Sequence, residues 1–194
     1  MPRTPEQNEK IRNEKKQAIL DVAMKLFAEK GYAATSTNEI VKEANISKGL
    51  LYNYFESKED ILKTIILSFG SEVFDMIDPS RNNILNKKEM SLFFDKYFEL
   101  LMARPEEVKL YMQLSVQPEA GKILAEISPE IMKQEYHVLS YFSEDKNSNI
   151  LLVDFTVIIN GLMLVYAFSP ERFSDETMLN YKNFLKNMFI GRGH

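Results

Sequence analysis

Residues 26–62 read LFAEKGYAATSTNEIVKEANISKGLLYNYFESKEDIL, and the stop and start signals in this stretch decide the fold. Just upstream and into it, Ile19, Val22, Ala23, Leu26 and Phe27 recur at i, i+3, i+4, i+7 and i+8, one apolar face of a first helix over about 8–30. Lys30 followed by Gly31 gives a basic last turn and then a residue free to take positive φ, so that helix stops there. Ser36 and Glu39 have the spacing of a capping box and open a second, short helix that should bury Ile40, Val41 and Ala44. Asn45 takes a left-handed turn conformation at modest cost. Ser47 is the next N-cap and predicts a third helix through about Phe55; Ser57 and Asp60 repeat the signal for a fourth, reaching Phe69 and toward Met76. Two short helices joined by a three-residue turn and braced by a longer one make a helix-turn-helix.

The chemistry of the third helix suits DNA. Its first turn presents free backbone N–H groups and the positive end of the helix dipole, both attractive to phosphate. Lys48 adds a cation there, and Gly49 lets the main chain approach a sugar-phosphate or a thymine methyl closely. Tyr52 and Tyr54 carry hydroxyls on rigid rings, while Leu51 and Phe55 anchor the helix inward. Thr37 and Lys58, at the starts of the flanking helices, are placed to clamp adjacent phosphates. The same shape also occurs in helical hairpins that only hold a fold, so spacing alone leaves both readings open.

The wording is more specific than the shape. The run from Leu26 to Leu62, with phenylalanine before a glycine–tyrosine stop, the Ser36 cap, Ile40 and then SKGxLYxYFxSKExIL, strongly resembles the DNA-binding domain of the tetracycline-repressor (TetR) family. The resemblance covers about residues 8–62. It implies an all-α homodimer whose N-terminal domains each enter a major groove, and a C-terminal domain that binds a small effector and dimerises through the last two long helices. Carried over position by position, Thr37, Lys48, Gly49, Tyr52, Tyr54 and Lys58 match residues that usually touch DNA in that family. Three positions depart from its pattern. Asn45 replaces the usual turn glycine, Leu50 stands where a small or hydroxyl residue is common, and Asn53 where an aromatic or basic one is frequent. Leu50 then offers an apolar contact, for instance to a thymine methyl, and Asn53 either reads adenine or binds phosphate. Both belong to the expected DNA-contact set, and they leave the base preference open.

Outward from this region the helical pattern continues. Residues 78–86, DPSRNNILN, have turn composition, and helices are expected near 88–103, 105–116, 120–143, 148–168 and 174–190, with Pro105, Pro118, Pro129 and Pro170 marking starts or breaks. No alternating pattern long enough for a sheet occurs. The expected fold is all-α with about nine helices: a helix-turn-helix domain over 1–62 and a helical effector-binding and dimerisation domain over 63–194. A chain of 194 residues that is 45% hydrophobic can bury a sizeable interior. Without cysteine it holds no disulfide, thiolate metal site or cysteine nucleophile, and its two histidines, His137 and His194, leave little for a histidine metal site. No cofactor, metal or catalytic residue is expected.

The net charge of −4 does not itself suggest a nucleic-acid binder. Its distribution differs along the chain: 1–65 carry 11 Lys/Arg against 10 Asp/Glu, leaving 13 against 18 for the rest. Five cations, Arg3, Lys10, Arg12, Lys15 and Lys16, fall within the first sixteen positions, as in a DNA-facing end or a merely solvated arm. The polar N-terminus shows no apolar signal region, and a cytoplasmic protein with no membrane partner is expected. The most apolar stretch, 150–168, is interrupted by Asp154, Asn160 and Gly161, which favours a helix buried on nearly all sides over a membrane span.

The C-terminal half offers pocket candidates of two kinds. Phe93, Tyr97, Tyr111 and Tyr141 belong to a surplus of aromatic and Met side chains that serves ordinary core as readily as a pocket. Gln113, Gln117, His137 and Asn160 are polar groups on otherwise apolar helices, able to orient a ligand or to sit as satisfied buried groups. Residues 150–168, together with Met178, Tyr181, Phe184, Leu185, Met188 and Phe189 on the last helix, supply apolar stripes for a two-fold four-helix interface, or for burial within one protomer. A dimer is favoured because one short recognition helix reads too little DNA, and paired half-sites overcome this. Two motifs are traps. Asp145-x-Asn147-x-Asn149 opens like a calcium loop but has Ile150 and Thr156 where glycine and glutamate are required, and Asn45-Ile46-Ser47 is a glycosylation triplet only by its letters.

The expected function is a DNA-binding regulator, a repressor released from a palindromic double-stranded operator by a small, largely apolar effector of unknown identity. The alternative is a regulator with no small-molecule effector, or one controlled by a protein partner. An enzyme lacks any acid–base pair or phosphate loop to support it.

Overall fold

The computed structural model describes residues 4–77, 85–126, 138, 140–142 and 147–191. Among them are nine α-helices and one 3-10 turn, and no strand. The helices are α1 (Pro5–Lys30), α2 (Thr37–Glu43), α3 (Lys48–Tyr52), α4 (Lys58–Ile77), α5 (Lys87–Ala103), α6 (Pro105–Ser115), α7 (Pro118–Glu126), α8 (Ser148–Phe168) and α9 (Asp175–Ile190). The 3-10 turn covers Pro170–Arg172. The all-α expectation therefore holds.

Local chemistry explains the boundaries. Thr4 caps α1 in a box with Gln7, so α1 begins at Pro5, three residues ahead of the expected start. It ends where Gly31 takes φ 90°, and Asn45 takes φ 52° in the turn between α2 and α3. The Ser36–Glu39 box is closed in both directions, and the Leu50 N–H donates to Ser47 Oγ over 3.1 Å. At α4 the Asp60 N–H donates to Ser57 Oγ, while the Asp60 carboxylate accepts from the Glu56 N–H. The third helix is shorter than its expected reach to Phe55, ending at Tyr52 with Asn53 as its C-cap.

The chain forms two compact units. The first comprises Met1–Ser68 together with Gln113–Leu124, and the second Phe69–Met112 with Ala125–His194. The first unit buries Ile19, Leu20, Ala23, Met24, Leu26 and Phe27 of α1, Ile40 of α2, Leu51, Phe55, and Ile61, Leu62, Ile65 and Ile66 of α4. Val41 and Ala44 are only half-buried, so α2 turns a narrower face inward than expected. Residues 113–124, which the sequence leaves with the C-terminal domain, join this unit and contribute the buried Leu114, Ala120 and Ile123.

The second unit is built around an aromatic core. Phe93 and Tyr97 of α5 stack at 5.6 Å, Phe155 of α8 meets Phe93 at 5.4 Å and Phe189 of α9 at 5.5 Å, and Phe142 lies 5.9 Å from Phe189. Centroid spacings of this size are those at which aromatic pairs add to their burial. Lys182 and Lys186 of α9 flank Asp95 of α5 at 3.1 and 2.7 Å. Burial opposes ionisation of Asp95, yet its bonds to Lys186 and Lys182 hold its carboxyl below the ordinary range. Arg104 joins α5 to α4 and α6 through Glu72 and Glu107.

Among the described residues α8 alone is long and apolar enough to cross a membrane. It buries Leu151, Phe155, Ile159, Leu162, Met163 and Tyr166 in the second unit's core. The expectation of burial on nearly all sides needs correction. Ile150, Val153, Val157, Leu164, Val165 and Phe168 are exposed, because a helix packed against one core leaves its opposite face bare.

Candidate nucleic-acid interface

A helix of five residues is too short to persist alone. Leu51 and Phe55 hold α3, at 1% and 2% exposure, and full burial of such side chains contributes about 1.5–3 kcal/mol each. With those two pointing inward, Lys48, Gly49, Tyr52 and Asn53 are exposed, and Leu50 and Tyr54 half-exposed. Tyr52 is 46% exposed. Thr37, at the start of α2, is half-buried.

Gly49 is informative because the protein makes no use of its small size. A Cβ built there meets nothing within 4 Å, and glycine inside a helix costs roughly 0.5–1 kcal/mol relative to alanine. The fold does not require glycine at this position; a surface that comes close to the backbone from outside would.

Around this face a second set of side chains fixes the connection between α1 and α2. The Lys58 ammonium donates to the carbonyls of Tyr32 and Thr35 at 2.7 and 2.8 Å, and lies 4.2 Å from the Tyr32 ring centroid. Thr35, 1% exposed, shares its hydroxyl proton between the carbonyls of Gly31 (2.9 Å) and Leu26 (3.2 Å). Gln117 completes the arrangement: its Nε2 donates to the Phe27 carbonyl and its Oε1 accepts from the Tyr32 N–H, both at 2.8 Å. Lys58, expected as a phosphate clamp, thus carries backbone bonds within the protein, and Gln117, expected beside a ligand, braces the first unit. Neither tie is visible in local spacing, since Gln117 meets partners 85 and 90 residues away. Lys30 pairs with Glu39 at 3.2 Å, and the bonds from Ser36, then Lys30, hold the Glu39 carboxyl down at about 2.

The family model for bacterial regulatory proteins of the tetR family matches residues 19–65. The biofilm operon icaADBC negative transcriptional regulator IcaR of Staphylococcus aureus (strain Newman) is 31% identical over 140 residues, 68% of this chain and 71% of its own. The chain belongs to the tetR family. It is also similar to the HTH-type transcriptional regulator YuxN of Bacillus subtilis (strain 168), 47% identical over 64 residues that span 33% of this chain and 22% of YuxN. The fold is shared with the Bacillus subtilis transcriptional regulator FadR solved in complex with stearoyl-CoA, at a TM-score of 0.66 and 19% identity, covering 92% of this chain and 99% of that one. This tetR-family protein is accordingly a helix-turn-helix transcriptional regulator and not an enzyme.

The described residues expected to line an effector pocket in this tetR-family chain are distributed over both units. Phe93 and Tyr97 are fully buried, and the Tyr97 hydroxyl donates to the Ile159 carbonyl at 2.6 Å; burial pushes its ionisation far up. Tyr111 stacks on Phe69 at 4.0 Å, and the Tyr141 hydroxyl donates to the Phe189 carbonyl at 3.3 Å. Gln113 and Gln117 fall in the first unit. Asn160 is exposed on α8, its amide donating to the Thr156 carbonyl at 2.9 Å. His137 lies outside the described residues.

Proposed function

We propose that this regulator is a homodimeric repressor whose two α3 helices dock in successive major grooves of a palindromic operator. The observation that carries the reading is Gly49: an exposed helical glycine with open space around it, between the cation of Lys48 and the outward ring of Tyr52. Lys48, Tyr52, Asn53 and Tyr54 supply phosphate and base contacts, Leu50 an apolar one, and Thr37 a contact from the start of α2. Residues 63–194 carry dimerisation and effector binding, with the bare face of α8 as the seam. A small, largely apolar effector releases the operator by favouring a state in which the two α3 helices no longer match the groove spacing, through its different affinity for the two states. Such a protein works in the cytoplasm.

Selection from random-sequence duplexes with the full-length protein should return a palindrome with half-site centres about 34–36 Å apart. Lys48→Ala and Tyr52→Ala should then weaken binding to it without changing thermal stability. Wild-type affinity in both variants would remove α3 from the interface.

One observation favours a second reading, a regulator with no small effector or one controlled by a protein partner. Phe93, Phe94 and Tyr97 are fully buried against one another and against Phe155, so a ligand among them has to displace packed rings. A thermal-shift panel of apolar and amphipathic compounds, long-chain acyl-CoA among them, separates the two. A stabilising compound that also lowers operator affinity supports the repressor with an effector; no stabilisation while operator binding persists supports the second reading.

A further inference from the structure

The first four turns of α1 bury almost nothing. Between Pro5 and Ala18 only Ile11 and Lys16 are even half-buried, and the helix reaches the first unit's core at Ile19. A 26-residue helix so extended has some use for its leading end beyond the core.

Its two sides differ. On one, Lys10 pairs with Glu14 at 4.0 Å, and the Gln17 amide donates to the Asp21 carboxylate at 2.8 Å, so the polar groups there satisfy each other. On the other, the Arg12 guanidinium lies 5.9 Å from the Tyr54 ring centroid and the Lys16 ammonium 5.6 Å from that of Phe55. With 3.6 residues per turn, Arg12 and Lys16 share a stripe and Lys10 sits across the helix from Arg12. Lys15 flanks that stripe and is exposed. None of Arg12, Lys15 and Lys16 pairs with a carboxylate among the described residues. The two aromatic rings that Arg12 and Lys16 meet follow α3 and so tie these two charges to its C-terminal end. Cations within about 6 Å of a ring face are attracted to it yet keep their hydrogen-bond donors free.

We infer that the leading turns of α1 form a second DNA contact, in which Arg12, Lys15 and Lys16 bind backbone phosphates beside the groove that α3 occupies. The inference rests on α3 being the groove-docking element. Arg12 and Lys16 on the rings that follow α3, with Lys15 beside them and no carboxylate partner for any of the three among the described residues, complement the polyanionic backbone, where affinity comes from counterion release and carries no sequence preference. The net charge of the chain, −4, makes such a local concentration of positive charge more useful, because the remainder of the protein repels DNA.

The test uses full-length protein and a 30-bp duplex of random sequence, with affinity measured at several NaCl concentrations. Arg12→Gln with Lys15→Gln is the first variant, since it leaves Lys16 on Phe55; the triple variant with Lys16→Gln is the second. Removing one phosphate-binding cation flattens the salt dependence by about 0.9 in log–log slope. The double variant, which removes two such cations from each protomer, should flatten by about four such steps per dimer and bind at least about tenfold more weakly at low salt. Lys10→Gln and the charge-conserving Arg12→Lys should behave as wild type. If Lys48→Ala weakens binding while both arm variants keep the wild-type slope, the arm makes no phosphate contact and the inference fails alone. If Lys48→Ala also has no effect, the docking role of α3 fails with it. An unchanged DNA slope with abolished binding to phosphatidylglycerol vesicles would instead assign the arm to an anionic membrane surface and overturn the proposal.

Discussion

Glu39 and Gln117 show how single side chains hold the helix-turn-helix in shape. The Glu39 carboxylate accepts from the backbone N–H and hydroxyl of Ser36 and from Lys30, and is held at about 2 against an ordinary 4.5. A carboxyl whose folded value is lowered contributes stability that is fully present above its unfolded value and lost as the pH falls toward the folded one. The α2 cap should therefore loosen between about pH 4.5 and 2, seen as faster amide exchange at Glu39 and Ile40. Glu39→Gln should remove that pH dependence; an identical acid profile in the variant would contradict the role given to the carboxylate. Gln117→Leu takes the acceptor from the Tyr32 N–H, whereas the Phe27 carbonyl keeps the Gly31 N–H at 3.0 Å. A partly buried polar group left unsatisfied costs about 1–3 kcal/mol, so the variant should unfold at a correspondingly lower urea concentration. The caps at Ser36 and Ser47 were legible in the sequence because capping is settled within three residues. Gln117, Thr35 and Lys58 were not, because their partners are chosen by the fold.

At the scale of elements, α8 separates what apolarity reveals from what it leaves open. Its hydropathy marks a helix that leaves water, but the same composition serves a core, a membrane or a partner. The fold divides the helix: Leu151, Phe155, Ile159 and Leu162 face the aromatic core, while Ile150, Val153, Val157, Asn160, Leu164 and Phe168 form a stripe at three- and four-residue spacing. Asn160 is the polar member of that stripe. In paired helices one such residue sets register at some cost in stability. Val157→Asp should convert dimer to monomer in sedimentation without lowering helix content, whereas Asn160→Leu should tighten the dimer. A Val157→Asp protein that remains dimeric would place the seam elsewhere. The stripe expected on α9 is divided in the same way, with Met178, Leu185 and Phe189 in the protomer's core and Phe184 at 57% exposure.

For the molecule as a whole, the all-α architecture and the helix-turn-helix could be read from caps, turns and period, since each is written in neighbouring residues. Less legible was the membership of 113–124, which follow α5 and most of α6 in the chain yet join the first unit. No composition shift marks them, because their buried residues are ordinary aliphatics. The aromatic residues of the second unit could not be sorted in advance into core and pocket for a similar reason: Phe93 and Tyr97 have the same composition in either role. In the proposed dimer each half-site is too small to hold a protomer alone, so a monomeric Val157→Asp protein should also bind its operator far more weakly. The central claim is that DNA meets the backbone at Gly49, and one measurement reaches it directly: operator affinity of Gly49→Leu, with thermal stability recorded on the same sample. The protein has open space at that position, and leucine favours a helix over glycine by about 0.8 kcal/mol. A variant as stable as wild type or more so, with operator affinity reduced at least about a hundredfold, is the predicted result. Wild-type affinity in a folded, dimeric Gly49→Leu protein would contradict it.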